Sequence, residues 1–156
     1  MIKLKDLLTE GKSPDIFIPR RIEDRVERLI KNYIRNGSKG DLVLSELPMR
    51  LTKLPPILKD ITVNGWFNCS LNNLTSLENC PKTVSVHFYC NNNLLTSLQC
   101  AHITVGGDFY CSFNKLTSLV GAPKSVGEDF ICHSNNVKFT EQDVRAVCDL
   151  KGTVYL

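Results

Sequence analysis

Residues 109–119 read FYCSFNKLTSL, and close copies of this segment stand 21 residues to either side of it and 42 residues before it. The four copies share an apolar position, a Phe, a Cys, an Asn and a second apolar position. The recurring residues are Val63, Val84, Val105 and Val126; Phe67, Phe88, Phe109 and Phe130; Cys69, Cys90, Cys111 and Cys132; Asn72, Asn93, Asn114 and Asn135; and Leu74, Leu95, Leu116 and Val137. A fixed period of this length indicates stacked structural units that bury their apolar faces only against one another.

Each copy predicts one short strand followed by a sharp turn. Side chains two positions apart lie on the same side of a strand, so Phe109 and Cys111 are expected to face the core, and successive strands are expected to stack about 4.8 Å apart. Asn114 follows at the turn, where its amide can bond neighbouring backbone groups. Glycine and proline elsewhere in the unit, such as Gly106 and Pro123, favour an irregular return arc.

The repeated pattern resembles the leucine-rich repeat, with Phe and Cys in two strand positions where that family usually has Leu. Pro81 and Pro123 on the outer arc make the unit similar to the short bacterial type of repeat, and His102 replaces this proline in the third copy. The resemblance implies an α/β repeat solenoid with a curved parallel sheet, irregular outer arcs and a capping helix at each end. The expected parts are an N-terminal arm and capping helix in residues 1–39, a degenerate first repeat with four 21-residue repeats in 40–139, and a C-terminal capping helix with a final strand in 140–156.

The two ends of the chain have their own signals. Apolar residues recur at helical spacing between residues 19 and 36, and Leu42 with Leu44 takes the place of Phe and Cys in the first repeat. Near the other end, Thr140 and Asp143 have the spacing of a helix capping box. The helix that follows is expected to turn Val144, Val147 and Cys148 inwards, and residues 153–156 are expected to form a closing strand.

Composition bounds the class of protein. Of the 156 residues, 42% are apolar and 22% are charged, which is typical of one globular domain. No stretch is apolar for long enough to span a bilayer, and residues 1–8 are too short and too charged for a secretory leader. We therefore expect a cytoplasmic protein. Its seven cysteines are then expected to be reduced, four of them serving as small buried apolar residues.

Candidates for catalysis or metal binding are few. His87 and His133 are expected two strands apart on one sheet, too far to share a proton or a metal ion. Cys80, Cys100 and His102 lie on neighbouring arcs, but without a Cys-x-x-Cys pair they do not favour zinc. We expect no enzyme, no cofactor and no metal.

A small acidic strip, formed by Asp108, Glu128 and Asp129, is interpreted as solvated charge that discourages edge pairing of the sheet.

The strand positions that alternate with the buried ones differ between copies, and many are aromatic. They are expected on the exposed concave face of the sheet, where large apolar groups typically anchor a protein interface. The predicted partner-binding residues are Trp66, Asn68, Leu71, His87, Tyr89, Asp108, Tyr110, Phe113, Asp129, Ile131 and His133. Two alternatives stay open: the aromatic residues pack only against each other, or the same face forms a homodimer.

Nucleic-acid binding is the alternative function. Residues 1–40 carry ten Lys or Arg against six Asp or Glu, a net of +4. The candidate contacts on the first helix are Arg20, Arg21, Arg25 and Arg28. Glu23, Asp24 and Glu27 interleave with them at helical pair spacing, which favours a salt-bridged, solvated face over a phosphate-binding stripe.

A looser resemblance concerns the N-terminus. Residues 1–10, MIKLKDLLTE, together with the Leu-Thr-Ser-Leu repeats, are similar to small leucine-rich-repeat proteins of tailed bacteriophages. This resemblance implies expression in the host bacterial cytoplasm and binding to a host or phage protein, such as a host factor that the protein blocks. A structural component of the virion is a further alternative.

Overall fold

The computed structural model describes residues 20–45, 47–100 and 103–156. The expected N-terminal arm and His102 lie outside these ranges. Within the first helix, the side chains of residues 20–23 also lie outside the description, so the predicted contacts of Arg20 and Arg21 are not placed.

The described residues form two helices and eleven two-residue strands. The elements in order are α1 (Arg20–Arg35), β1 (Leu42–Val43), a 3-10 turn (Pro56–Leu58), β2 (Thr62–Val63), β3 (Phe67–Asn68), β4 (Thr83–Val84), β5 (Phe88–Tyr89), β6 (Thr104–Val105), β7 (Phe109–Tyr110), β8 (Ser125–Val126), β9 (Phe130–Ile131), α2 (Glu141–Val147), β10 (Asp149–Leu150) and β11 (Val154–Tyr155). Six strands make one sheet in the order β1-β3-β5-β7-β9-β11, and five make another in the order β2-β4-β6-β8-β10. Every pairing is parallel, so the fold is a parallel-sheet solenoid of about five turns.

The second sheet was not expected from the sequence. The return arcs are predicted to be irregular, but every turn from β2 onward carries two short strands, and the first of them buries a valine in β2, β4, β6 and β8 and a leucine in β10. Glycine lets successive turns approach closely at the bend between these strands. A Cβ atom at Gly106 would overlap the backbone carbonyl of Ser85, and one at Gly127 would overlap the carbonyl of Gly106. The glycines that suggested an irregular arc therefore serve a tight bend between two strands.

The predicted inward positions of the repeat are confirmed except in the last copy, where Val137 is 42% exposed. The four phenylalanine rings form a column through the core, with centroid separations of 5.0, 5.3 and 5.2 Å between neighbours. The repeat cysteines and the leucines Leu74, Leu95 and Leu116 are buried with them. Strand pairing joins Phe67 to Phe88, then to Phe109 and to Phe130, so the sequence period and the sheet register are the same.

The predicted role of the repeat asparagines is also confirmed. In Asn93, Nδ2 donates to the carbonyl oxygen of Cys90 in its own turn at 3.1 Å and to that of Cys69 in the preceding turn at 3.0 Å. Its Oδ1 accepts from the Leu74 backbone N–H at 3.0 Å. Asn72, Asn114 and Asn135 repeat this arrangement. The asparagines thus bond successive turns where the strand ends.

Helix α1 contributes one apolar face to the core through Val26, Leu29, Ile30 and Tyr33. The Tyr33 hydroxyl bonds the chain that leads into β1, because it donates to the carbonyl oxygens of residues 38 and 40 at 2.8 and 3.0 Å. β1 pairs with β3 and its leucine aligns with Phe67, so this segment supplies the first strand of the sheet.

At the other end, the capping box of Thr140 and Asp143 is present, and the closing strand is confirmed as β11. The expectation for Val147 was wrong: its side chain is 46% exposed, because α2 has only seven residues and buries Val144 alone. The residues after α2 form two strands, one in each sheet, where one strand was expected.

The expectation that all seven cysteines are reduced was wrong for one pair. Cys80 and Cys100, on neighbouring turns, are joined as a disulfide with their Cα atoms 6.0 Å apart. Both side chains are buried, not exposed on the arcs as expected. The other five cysteines are free and buried.

Within the described residues, no helix combines the length and the apolar character that crossing a bilayer requires.

Candidate functional site

The outward side of the six-stranded sheet carries the residues that vary between copies. Two rows run across the strands on this side. The first row precedes the buried phenylalanines and consists of Asp41, Trp66, His87, Asp108, Asp129 and Thr153, and the second row lies between the phenylalanines and cysteines and includes Asn68, Tyr89, Tyr110 and Ile131. We call the two rows together the strand face.

The aromatic residues of the strand face pack against each other. Tyr89 and Tyr110 stack with centroids 4.7 Å apart and an interplanar angle of 17°. Trp66 meets the edge of Tyr89 at 6.1 Å and lies 6.1 Å from the ring of His87. The alternative that these residues form a ladder among themselves is therefore correct as a description of their contacts. It does not account for Trp66, which is still 42% exposed.

The second-row tyrosines are held in a partly buried, acidic environment. The Tyr110 hydroxyl donates to Asp108 Oδ2 at 3.0 Å. Burial, and then this hydrogen bond to Asp108, raises the pKa of Tyr110 to about 12. Burial also raises the pKa of Tyr89, and the negative charge of Asp108 adds to the effect. Both phenols are thus neutral hydrogen-bond donors at physiological pH.

The first row forms a series of side-chain to backbone hydrogen bonds between turns. Asp108 Oδ1 accepts from the Asp129 N–H at 2.9 Å, and Asp129 Oδ1 accepts from the Thr153 N–H at 2.8 Å. Asp41 does the same for Trp66 at 3.0 Å, and His87 Nδ1 accepts from the Asp108 N–H at 3.0 Å. Asp108 and Asp129 of the acidic strip are therefore more than solvated charge: each satisfies a backbone donor of the next turn.

One group on this face has donor types that suit a divalent transition ion. Ligand atoms of His87, Asp108 and Glu128 all lie within 4.8 Å of one another, and an imidazole with two carboxylates is a common donor set. His87 Nδ1 is 3.3 Å from Asp108 Oδ2. Two of the three groups already accept hydrogen bonds from the protein, so those bonds explain the arrangement without an ion. The prediction that the protein binds no metal stays a prediction.

Three predicted partner-binding residues lie outside the strand face. Leu71 and Phe113 have φ values of 57° and 52°, in the left-handed region, and His133 immediately precedes a third such residue, Ser134. A left-handed residue ends the alternation of a strand, so these positions belong to the turn after each cysteine. Leu71 and Phe113 remain 48% and 53% exposed at this turn.

The two histidines belong to turns two strands apart in the sheet, as expected, but they lie at opposite ends of their strands. His87 lies before its strand, in the first row, whereas His133 lies beyond the end of its strand. The His133 ring is instead 5.1 Å from the ring of Phe113 in an edge-to-face contact. Nothing in the sequence signalled the left-handed turn, because leucine, asparagine, phenylalanine and serine occupy its four copies.

The basic face of α1 is placed only in part. Arg25 and Arg28 are exposed, and Asp24 beside them is exposed as well. The predicted pairing along the helix is represented by Lys31 and Glu27, whose Nζ and Oε2 atoms are 3.3 Å apart. Such an exposed pair contributes little to stability.

No family model matches this chain, and the comparisons with curated proteins and with solved structures give no match either. The functional interpretation therefore rests on the geometry of the strand face and of α1.

Proposed function

We propose that the protein is a non-enzymatic binding module that recognises another protein through its strand face. In this proposal the turns are leucine-rich repeats, and α1 and α2 cap the ends of their shared core. The observation that carries the proposal is Trp66, a large apolar side chain that is 42% exposed beside a preformed aromatic stack.

The aromatic side chains of the strand face are already ordered before a partner binds. Trp66, Tyr89 and Tyr110 already contact one another, so little conformational entropy remains to be lost when a partner covers them. Trp and Tyr in such positions typically provide most of the binding free energy of an interface. Six strands spaced by about 4.8 Å give a surface about 24 Å across, which suits an interface of standard size or smaller.

The charges of the strand face indicate the chemistry of the partner. Asp108, Glu128 and Asp129 lie beside the aromatic stack, and in the described part of the chain none of them pairs with Lys or Arg. A carboxylate at an interface favours a positively charged group opposite it. The matching partner segment has an Arg or Lys between apolar side chains.

The biological setting of the proposal comes from the resemblance to small leucine-rich-repeat proteins of tailed bacteriophages. In that setting the protein acts in the cytoplasm of a bacterial host, and its partner is a host or phage protein. In such a host-virus interaction, the protein would bind a host factor and block it.

The test combines capture with a site-specific probe. Trp66 is the only tryptophan of the chain, so 5-fluorotryptophan labels the strand face alone. A protein captured from bacterial lysate is purified and titrated against the labelled chain. We expect the fluorine resonance of the wild type to shift on binding. The dissociation constant, measured by calorimetry because Trp66→Ala carries no fluorine, should rise at least tenfold in Trp66→Ala and in Tyr110→Ala.

A matched control places the same change elsewhere on the surface. Val120 is exposed and lies outside every strand, so Val120→Ala removes exposed apolar area without touching the strand face. Binding that weakens equally in Val120→Ala, or a fluorine resonance that the bound protein leaves unmoved, would contradict the proposal. A wild-type dimer that Trp66→Ala dissociates would replace it with self-association.

A second candidate function is nucleic-acid binding through α1, favoured by the exposure of Arg25 and Arg28. Its test is the affinity for a fluorescent duplex at several salt concentrations. Binding with a steep salt dependence that Arg25→Ala with Arg28→Ala reduces would favour this function over the first, because each phosphate contact contributes about one unit to the salt slope.

A further inference from the structure

The disulfide between Cys80 and Cys100 stands apart from the other cysteines. It joins neighbouring turns outside the strands, after Leu77 in one turn and after Leu98 in the next. The Cα separation of 6.0 Å is in the usual range for a disulfide. The pair therefore needs no backbone movement to open or to close.

The five free cysteines are poor candidates for thiol chemistry. Cys69, Cys90 and Cys111 are completely buried in the core column, and burial raises their pKa values. Burial raises the pKa values of Cys132 and Cys148 to about 11. Because the thiolate is the reactive form, these residues are inert at neutral pH.

Cys100, by contrast, lines an open cavity of about 850 Å³. Lys59 and Lys124 contribute to the same wall, together with Glu78 and Gly121. The volume is within the range of small-molecule sites, and two ammonium groups in the wall attract an anionic reagent. Cys80 is absent from the lining, so a reagent in the cavity reaches Cys100 first.

We propose that Cys80 and Cys100 form a reversible thiol–disulfide site, in which Cys100 exchanges with a low-molecular-weight thiol such as glutathione bound in this cavity. The site is independent of the proposed binding function. In a bacterial cytoplasm a disulfide typically has a redox role, so reversibility also reconciles this bond with the predicted location.

The exchange proceeds in two balanced steps. A glutathione thiolate attacks Cys100 Sγ, the new sulfur–sulfur bond forms, and the Cys80–Cys100 bond breaks, leaving its electron pair on Cys80 Sγ, which takes a proton from water. A second glutathione thiolate attacks the sulfur of the bound glutathione and releases the Cys100 thiolate. One disulfide and two glutathiones thus become two protein thiols and one oxidised glutathione.

The experiment uses the full chain in glutathione buffers of graded redox ratio, followed by acid quenching, alkylation and intact-mass measurement. We expect the wild type to pass in one transition from five alkylated thiols to seven, the two added ones being Cys80 and Cys100, because acid quenching unfolds the chain and exposes every free thiol. The oxidised form should melt roughly 5–10 °C higher, because the bond closes a loop of about 20 residues.

Single variants separate the two cysteines. In Cys80→Ser, or in Cys80→Ala if serine impairs folding, Cys100 should take up one glutathione from oxidised glutathione; in Cys100→Ser, Cys80 should take up none. Cys148→Ser is the matched control and should behave as the wild type. The proposal would be overturned if the disulfide resists reduction until the protein unfolds. It would also be overturned if glutathione modifies Cys80 and Cys100 equally, or if neither Cys80 variant takes up glutathione.

Discussion

Replacing Asn114 by alanine removes the side-chain amide that bonds both its own turn of the solenoid and the preceding turn. Asn114 Nδ2 donates to the carbonyl oxygens of Cys90, Cys111 and Ser112 at 3.0, 3.1 and 3.2 Å, and Oδ1 accepts from the Leu95 N–H at 3.1 Å. The side chain is buried, so water cannot replace it without entering the core. The fold therefore depends more on this buried amide than it would on an exposed polar side chain at a turn.

The loss of stability in Asn114→Ala depends on which backbone groups lose their hydrogen-bond partner. The Cys90 carbonyl keeps the amide of Asn93 and the Cys111 carbonyl keeps that of Asn135, so neither is orphaned. The Leu95 N–H loses its acceptor, which costs about 1–3 kcal/mol for a buried donor. The amide has two N–H donors for these carbonyl groups, and losing two full bonds adds about 1 kcal/mol each. We expect Asn114→Ala to lower the free energy of unfolding by roughly 3–5 kcal/mol, a large part of the ~5–15 kcal/mol of a typical domain.

Urea unfolding followed by Trp66 fluorescence measures this change. Asn91→Ala is the matched control, because the Asn91 side chain makes no hydrogen bond within the described structure and is only half-buried. Asn114→Asp should be at least as destabilising as Asn114→Ala, since it keeps the acceptor for Leu95 but points a second oxygen at carbonyl groups. If Asn114→Ala and Asn91→Ala differ by less than about 1 kcal/mol, the amide is not what joins the turns.

Three further changes test other parts of the structure. Asp129→Ala should cost about 1–2 kcal/mol and speed hydrogen exchange at the Thr153 amide, whereas Asp129→Asn, which keeps an acceptor, should do neither; equal exchange rates in the two variants would contradict this role. Gly106→Ala should lower the urea midpoint by the equivalent of about 1–3 kcal/mol, because its Cβ would overlap the carbonyl of Ser85, and an unchanged midpoint would refute the tight bend. Burial raises the pKa of Cys132 from 9.0 to about 11, so the unfolded chain loses this proton first. Stability should be constant below about pH 9 and fall towards pH 11 by about 1.4 kcal/mol per pH unit for each such thiol, which urea midpoints at pH 8 and pH 10 would show or exclude.

The sequence predicted the parts of the fold that every turn repeats. Phe109 and Cys111 were correctly placed in the core, and Asn114 at the turn, because each copy meets the same neighbours and so keeps the same residue type. The second sheet was missed although its valines recur at the same period. Its strands are two residues long, which is too short to show an alternation of buried and exposed side chains.

The features that sequence reasoning missed are those that depart from a strand or from the period. The two-residue alternation of a strand predicted Phe113 and Leu71 on the strand face. The alternation ends at the turn, where these residues have left-handed backbone conformations. Cys80 and Cys100 are 20 residues apart, one less than the period, so they occupy different places in their repeats. Their contact depends on differences between the two arcs. The pattern that the copies share contains no information about those differences.

The strand face can vary because other groups hold the turns together. Backbone pairing, the asparagines and the first-row carboxylates account for the bonds between turns, and the phenylalanine column fills the core. The Trp66 ring adds aromatic contacts to Tyr89 and His87, on the solvent side. Such exposed pairs contribute about 0.2–1 kcal/mol, so Trp66→Ala should leave the fold intact. A large loss of binding with a small loss of stability is therefore what distinguishes a recognition residue on this face from a structural one.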